Sequence, residues 1–368
     1  MMRILAPAAL QALIEALAAT RTVLGPVRRD GAIVYDEIAG IEDLPAGWTD
    51  VQEAGRYRLE RRADEALFGY AVGPHSWKQF LHPAREVLFT TRQTADGIEF
   101  VPPAVEDQKV AFIGVRACEL AAIAVQDKVF CEGPYQDTAY ASRRANAFIV
   151  AVNCGTAAAT CFCASMNTGP KAGAGCDIAL TELLDGRHEF LAEAGSAAGE
   201  ALLAGLESHP AAPEDLAAAQ AVTARAAASQ TRAMPTEGLP ALLAGAAKHP
   251  HWQEVASRCL ACGNCTMVCP TCFCTTVADH TDLTGETSRV RSWDSCFTLD
   301  FSYLHGGSVR QSGAARYRQW MTHKLSSWVE QFGTSGCVGC GRCIAWCPTG
   351  IDIVAEATAL QEAAHGKS

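Results

Sequence analysis

Along the first 190 residues, apolar positions gather into short unbroken runs. KVAFIGV (109–115) and NAFIVAV (146–152) are nearly continuous, the pattern of strands buried on both faces. RACELAAIAVQDKVF follows the first run and reads as a helix. Nearer the start, Leu10, Leu13, Ile14 and Leu17 recur at helical spacing, while Pro7, Gln11 and Glu15 interrupt the apolar stretch. That pattern reads as an amphipathic helix rather than a secretory signal, and no twin arginine precedes it. Over 191–248 the chain turns rich in Ala and Glu, with prolines at 210, 213 and 235, so short helices broken at the prolines are expected. HWQEVASRCLAC begins as a helix, and AARYRQWMTHKLSSWVEQFG (314–333) reads as a longer one. Trp320, Leu325, Trp328 and Phe332 form its apolar stripe, and Gly333 is its stop. The expected fold class is α+β: an α/β domain over 1–190, a helical connector over 191–248 without evident chemistry, and a mainly helical domain over 249–368.

Composition narrows the class. Of 368 residues 49% are hydrophobic and the formal net charge is -10, so no basic domain exists to neutralise nucleic-acid phosphates. No apolar stretch is long enough to span a bilayer, and a cytoplasmic location is expected. The 17 cysteines change the picture more. Their number is odd, and most fall after residue 250, which points to metal sites in a reducing compartment rather than a disulfide framework.

Two runs carry the pattern C-x2-C-x2-C-x3-C-P: Cys259, Cys262, Cys265, Cys269 and then Cys337, Cys340, Cys343, Cys347. The first three cysteines of such a run converge on one iron–sulfur cubane, and the fourth reaches the neighbouring one. The predicted partition is therefore crossed. One [4Fe–4S] cluster takes Cys259, Cys262, Cys265 and Cys347; the other takes Cys337, Cys340, Cys343 and Cys269. Structural zinc, the rival, closes on separated C-x2-C pairs and does not explain two complete runs with a trailing proline. The 68 positions between Cys269 and Cys337 exceed a compact two-cluster ferredoxin and favour a helical-ferredoxin-like arrangement.

Two further cysteine groups remain. Cys118 and Cys154 each follow a predicted strand, and parallel strands bring both to one carboxyl edge. With Cys161 and Cys163 they could close a third cluster; the plain alternative is buried free thiols. Cys272, Cys274 and Cys296 make a candidate further site, with His280 or Asp294 as fourth ligand, or else thiols that flank the main clusters. Cys131 and Cys176 read as structural. GPKAGAG (169–175) reads as a loop, lacking the residues of a phosphate cradle. Arg289, Arg291, Arg310, Arg316, Arg318, His323 and Lys324 form a locally basic stretch, read either as compensation of cluster charge, as a docking face or as a solvated helix face. No nucleophile–base pair stands out, so no catalytic residue is assigned.

SWKQFLHPARE (76–86), FIGVRACELAAIAVQDKVF (112–130), VNCGTAAATCFCASMNTGP (152–170), CLACGNCTMVCPTCFC (259–274), RSWDSCF (291–297) and CVGCGRCIAWCP (337–348) together resemble the β subunits of soluble sulfhydrogenase-type [NiFe] hydrogenases. That family includes the iron–sulfur relay chain of anaerobic sulfite reductase. The similarity covers nearly the whole chain and is weakest over 191–248. It implies an iron–sulfur electron-transfer subunit rather than the catalytic chain. Such a protein relays electrons between a flavoprotein that exchanges hydride with NAD(P)H and the small and large subunits of a [NiFe] hydrogenase. In the sulfite reductase the same relay serves a sirohaem protein. A flavin-dependent catalytic chain is the alternative from another class, and stoichiometric flavin on the isolated chain is its mark.

Overall fold

Both apolar runs become neighbouring parallel strands. The computed structural model describes residues 2–103 and 108–366. Its framing strands are, in chain order, β1 (Met2–Leu5), β2 (Thr22–Arg29), β3 (Ala32–Glu37), β4 (Trp48–Glu53), β5 (Arg56–Arg61), β6 (Arg85–Thr94), β7 (Gly97–Val101), β8 (Val110–Val115), β9 (Ala147–Val152), β10 (Ile178–Leu183), β11 (Glu189–Ala194), β12 (His209–Pro210), β13 (Thr275–Thr281) and β14 (Thr287–Trp293). Eight of them form one mixed sheet in the order β12-β1-β11-β10-β9-β8-β2-β3. Its centre, from β10 through β9 and β8 to β2, is parallel, and the flanking pairs are antiparallel.

The run in β9 is apolar in both registers because both faces are covered. Phe148, Val150 and Val152 enter the core under helix Pro7–Ala18, with Leu10, Leu13, Ile14 and Leu17. Ile149 and Ala151 enter the opposite core with Trp77 and with Ile123 of helix Ala117–Phe130. Because β8 and β9 are parallel, the chain leaves both at the same edge, two residues before Ala117 and two residues before Cys154.

Three features depart from the layout expected of the sequence. First, β11 runs across position 190 and pairs with both β1 and β10, so residues 191–194 belong to the sheet. Second, the Ala-rich segment is packed at both ends. Helix Pro213–Ala228 buries Ala219 and Val222 against Ile4, Leu183 and Leu191, while Met234, Leu239 and Leu243 enter the core built around Trp252, Tyr317 and Trp320. Third, the region after 249 is not mainly helical throughout. β13 and β14, lying between the two cysteine runs, pair with each other, and β14 pairs with β6, giving a sheet in the order β13-β14-β6-β7. Every residue of β13 but the first is exposed, so the hairpin carries no apolar period that its sequence could display. The long helix does form and ends at Gly333, with φ of 67°, but a π-helical turn at His323–Ser327 interrupts it. Trp320, Leu325 and Trp328 of the expected stripe are buried.

Candidate metal centres

The two runs are built alike. Helix His251–Arg258 delivers Cys259; Gly263, with φ of 74°, then turns the chain into the short helix Asn264–Met267 that carries Cys265. In the second run Gly341, with φ of 77°, precedes the matching helix Arg342–Ala345 that carries Cys343. Glycine serves both turns because a side chain in this left-handed region crowds the following carbonyl.

Thiols of the two runs stand beside one another. Burial pushes the Cys265 thiol well up, and the next causes are Cys259 and Cys347, then Cys269 and Cys262. Burial pushes Cys259 up too, and among its neighbouring sulfurs Cys347 acts before Cys262. Cys343 is raised by burial and then by Cys337, Cys340 and Cys269. Cys337 is pushed up to about 12 by burial, with Cys340 and Cys269 adding to it. Cys347 thus neighbours Cys259 and Cys265 of the first run, while Cys269 neighbours Cys337, Cys340 and Cys343 of the second as well as Cys265 of its own. Cys259, Cys262, Cys265 and Cys347, with Cys343 of the second run, line one cavity, closed on its inner side by Phe297, Tyr317, Trp320 and Ile351.

Cys118, Cys154, Cys161 and Cys163 also converge. Cys161 is raised by burial and then by Cys163 and Cys154. Cys163 is pushed up to about 12, by burial and then by Cys154. Cys118, in the first turn of its helix, is pushed well up by burial and then by Cys163 and Cys340. Desolvation here outweighs any help from the helix dipole. This group abuts the second run directly. Phe162 N–H donates to the Gly339 carbonyl at 2.9 Å, and Thr168 Oγ1 donates to the Val338 carbonyl at 2.7 Å. A Cβ on Gly339 would lie 2.7 Å from Cys163 Cα.

The last group is spread around a lysine. Lys324 Nζ lies 3.3 Å from Cys269 Sγ and 3.6 Å from Cys272 Sγ. Cys274 is lowered to about 7 by its contact with Cys296 and by the Lys324 charge. Asp294 is adjacent, its N–H donating to the Cys274 carbonyl at 2.8 Å. His280 is not. It is exposed near the far end of β13, five residues beyond Thr275 and about 17 Å along an extended strand, so it is removed as a fourth ligand.

Tetrahedral zinc would hold its sulfurs about 3.8 Å apart at Zn–S of about 2.3 Å. Among the described residues no three cysteine sulfurs lie within 4.8 Å of one another; only His251, Glu254 and Glu356 converge that closely. Those three form an ion-pair cluster with Arg258, which reaches Glu254 at 3.0 Å and Glu356 at 2.9 Å.

Several residues of the site carry no motif. Gln230 Nε2 donates to Cys163 Sγ at 3.2 Å, so the Ala-rich segment does contribute chemistry. Arg342, fully buried, pairs with Glu119 at 2.6 Å and donates to the Gly73 and His75 carbonyls at 2.8 and 2.7 Å. Glu119 also accepts from Tyr35 at 2.7 Å and Trp77 at 3.0 Å. Arg116 donates to the Phe68 and Tyr70 carbonyls, both at 2.8 Å, and its charge lowers Cys154 against the larger upward push of burial. The basic stretch is divided: Arg289 pairs with Asp279 at 2.7 Å, Arg291 with Glu86 and Asp137, and Lys324 turns inward. Of the readings of that stretch, compensation of cluster charge is the one that the inward turn of Lys324 suits.

Residues 258–351 match the 4Fe-4S dicluster domain family. The whole chain is similar to the sulfhydrogenase 2 subunit beta of Pyrococcus furiosus, 31% identical over 335 residues, or 90% of each chain. No solved structure matches it. Among the described residues no helix is long and apolar enough to cross a membrane. With that identity running over 90% of each chain and the dicluster match covering both cysteine runs, the chain belongs to the sulfhydrogenase β-subunit family of iron–sulfur proteins.

Proposed function

We propose that the chain is the electron-relay subunit of a cytoplasmic hydrogenase complex, with two [4Fe–4S] clusters in the crossed partition and a third on Cys118, Cys154, Cys161 and Cys163. Such clusters, when bound, supply one-electron exchange. The observation that carries the reading is contiguity. Cys265 and Cys343 neighbour each other across the first two sets, and Cys340 neighbours both Cys118 and Cys163 across the second and third. Cys262 is exposed, and Leu260 beside it is 66% exposed, so the first set lies at the surface. The Gly339–Phe162 backbone contact leads inward to the sheet edge. The layout therefore offers a path from a surface docking point to the α/β half. Cys272, Cys274 and Cys296 are read as flanking thiols, because the sulfurs they meet beyond one another are Cys269 and Cys265, which the first two sets already use. C-terminal helices carrying both runs favour the helical-ferredoxin-like reading of residues 249–368.

The partners on this reading are a flavoprotein that exchanges hydride with NAD(P)H and the small and large subunits of a [NiFe] hydrogenase. It is supported by what the Pyrococcus relative is named for. Anaerobic affinity isolation from the native cell, with mass spectrometry and nickel analysis, tests it. A nickel-containing large subunit together with a flavoprotein is expected. A sirohaem protein without nickel would reassign the relay to sulfite reduction, and stoichiometric flavin on the isolated chain would make it catalytic. The isolated chain should hold about twelve irons, at four per cluster; about eight removes the third cluster, and about sixteen makes the flanking thiols ligands.

A further inference from the structure

Lys324 is a buried ammonium with an unusual set of neighbours. The residue is 4% exposed. Its Nζ donates to Thr271 Oγ1 at 3.0 Å and the Gly336 carbonyl at 3.0 Å, besides Cys269 Sγ at 3.3 Å and Cys272 Sγ at 3.6 Å. A buried charge needs a counter-charge, since desolvation is costly. Here the counter-charges are sulfurs: Cys269 first, then Cys272 and Cys337. Two other buried cations stand near: Arg342 is neutralised by Glu119 at 2.6 Å, and Lys78 donates to the Cys272 carbonyl at 3.1 Å rather than to a sulfur.

The backbone is shaped to put Lys324 there. The π-helical turn His323–Ser327 buries Lys324, Leu325 and Ser326 in succession, which a regular helix face does not do. The same residue ties the runs together. Its carbonyl accepts from Gly336 N–H at 2.8 Å, and Thr271 Oγ1, 3.1 Å from Cys269 Sγ, donates to the Gly336 carbonyl at 2.6 Å. Cys269 closes the first run and Cys337 opens the second, so Lys324 spans the seam of the set they share.

We propose that Lys324 is a positioning residue that raises the reduction potential of the cluster held by Cys269, Cys337, Cys340 and Cys343. This rests on that set binding a cluster, as proposed above. One-electron reduction adds a negative charge to the cluster, with the electron coming from the redox partner of the relay and no bond made or broken at the lysine. A fixed positive charge hydrogen-bonded to a ligand sulfur favours the reduced form, and water cannot screen it at a buried position.

The test uses the full chain, purified anaerobically with its native clusters and titrated potentiometrically under electron paramagnetic resonance. The signal of this cluster is identified as the one altered in Cys340→Ser. In Lys324→Met the ratio of reduced to oxidised cluster at fixed potential should fall at least tenfold, a downward shift of about 59 mV for one electron. Lys324→Arg, which keeps the charge, should shift less than half as far, and the other signals should stay in place. A Lys324→Met chain with full iron content and an unmoved midpoint overturns the proposal. Should that variant lose the cluster, Thr271→Val decides: it removes one partner of the ammonium and should give a smaller downward shift, and an unmoved midpoint there overturns the proposal equally. Fewer than eight irons in the unmodified chain would instead overturn the two-cluster reading, a distinct result.

Discussion

At the position between the turning glycine and the third cysteine, the first run carries Asn264 and the second carries Arg342. Asn264 donates to the Trp346 carbonyl, so it ties one run to the other. Arg342 reaches into the N-terminal half, to Glu119 and the carbonyls of Gly73 and His75. Similar contrasts follow at neighbouring positions. Ala261, with φ of 52°, and Gly339, with φ of 65°, occupy equivalent left-handed positions. Ala261 is half-buried, whereas Gly339 lies against the Cys163 backbone. Cys262 is exposed and its counterpart Cys340 is buried. One spacing thus gives one ligand geometry, while the surroundings decide access, charge and what each site can exchange electrons with. The first run reaches the surface at Cys262; the second is buried against the N-terminal half.

The comparison can be broken most severely through the crossed partition. Cys347→Ser is expected to remove the cluster nearest Cys259, about four irons, and leave the second run's signal intact; loss of the second run's cluster instead would show that each run closes on itself. Next is the junction. Glu119→Leu leaves Arg342 buried and uncompensated, and should cost about 3–5 kcal/mol in chemical unfolding of the loaded chain. An equal effect from Asn264→Ala would erase the distinction between the runs.

Gly339→Ala and Ala261→Gly form a smaller, opposed pair. The first introduces a Cβ 2.7 Å from Cys163 Cα and a left-handed alanine, and should destabilise by about 2–3 kcal/mol, with iron lost at the Cys118 group. The second relieves a left-handed alanine and should stabilise by about 0.5–1 kcal/mol. Similar unfolding midpoints for both variants would contradict the packing difference. Gln230→Leu removes the donor 3.2 Å from Cys163 Sγ and should cost about 1 kcal/mol, read as earlier iron release from the Cys118 group on chelator challenge. Smallest in stability is Leu260→Ser, expected within about 0.5 kcal/mol of the unmodified chain because the side chain is exposed. Its effect should appear as slower electron exchange with the docked partner in stopped flow.

Much of this is legible in the residues alone. The strand character of 109–115 and 146–152 follows from apolar residues in both registers, which only a sheet covered on two faces buries. The helix around Trp320 and its stop at Gly333 follow from period and from a glycine that accepts positive φ. The hairpin of β13 and β14 is not legible, because the exposed strand 275–281 is held by its ladder to β14, which pairs in turn with β6, rather than by an apolar face. Nor is the role of Gln230, 67 residues from Cys163, since a single polar residue in an Ala-rich stretch has no pattern. His280 misleads because nearness in sequence to Cys274 suggests nearness in space, and an extended strand carries it away.

By itself, the sequence determined the ligand chemistry: thiolates at fixed short spacings form loops whose local geometry needs no distant contact. It also determined the central strands and the helices that carry the runs, because hydrophobic period is a local property. Only the tertiary structure decided how the sets are joined and charged. The Arg342–Glu119 pair, the seating of Gly339 on Cys163 and the burial of Lys324 against Cys269 each link residues far apart in the chain. Their energies depend on desolvation and close packing, which exist only once distant segments have met.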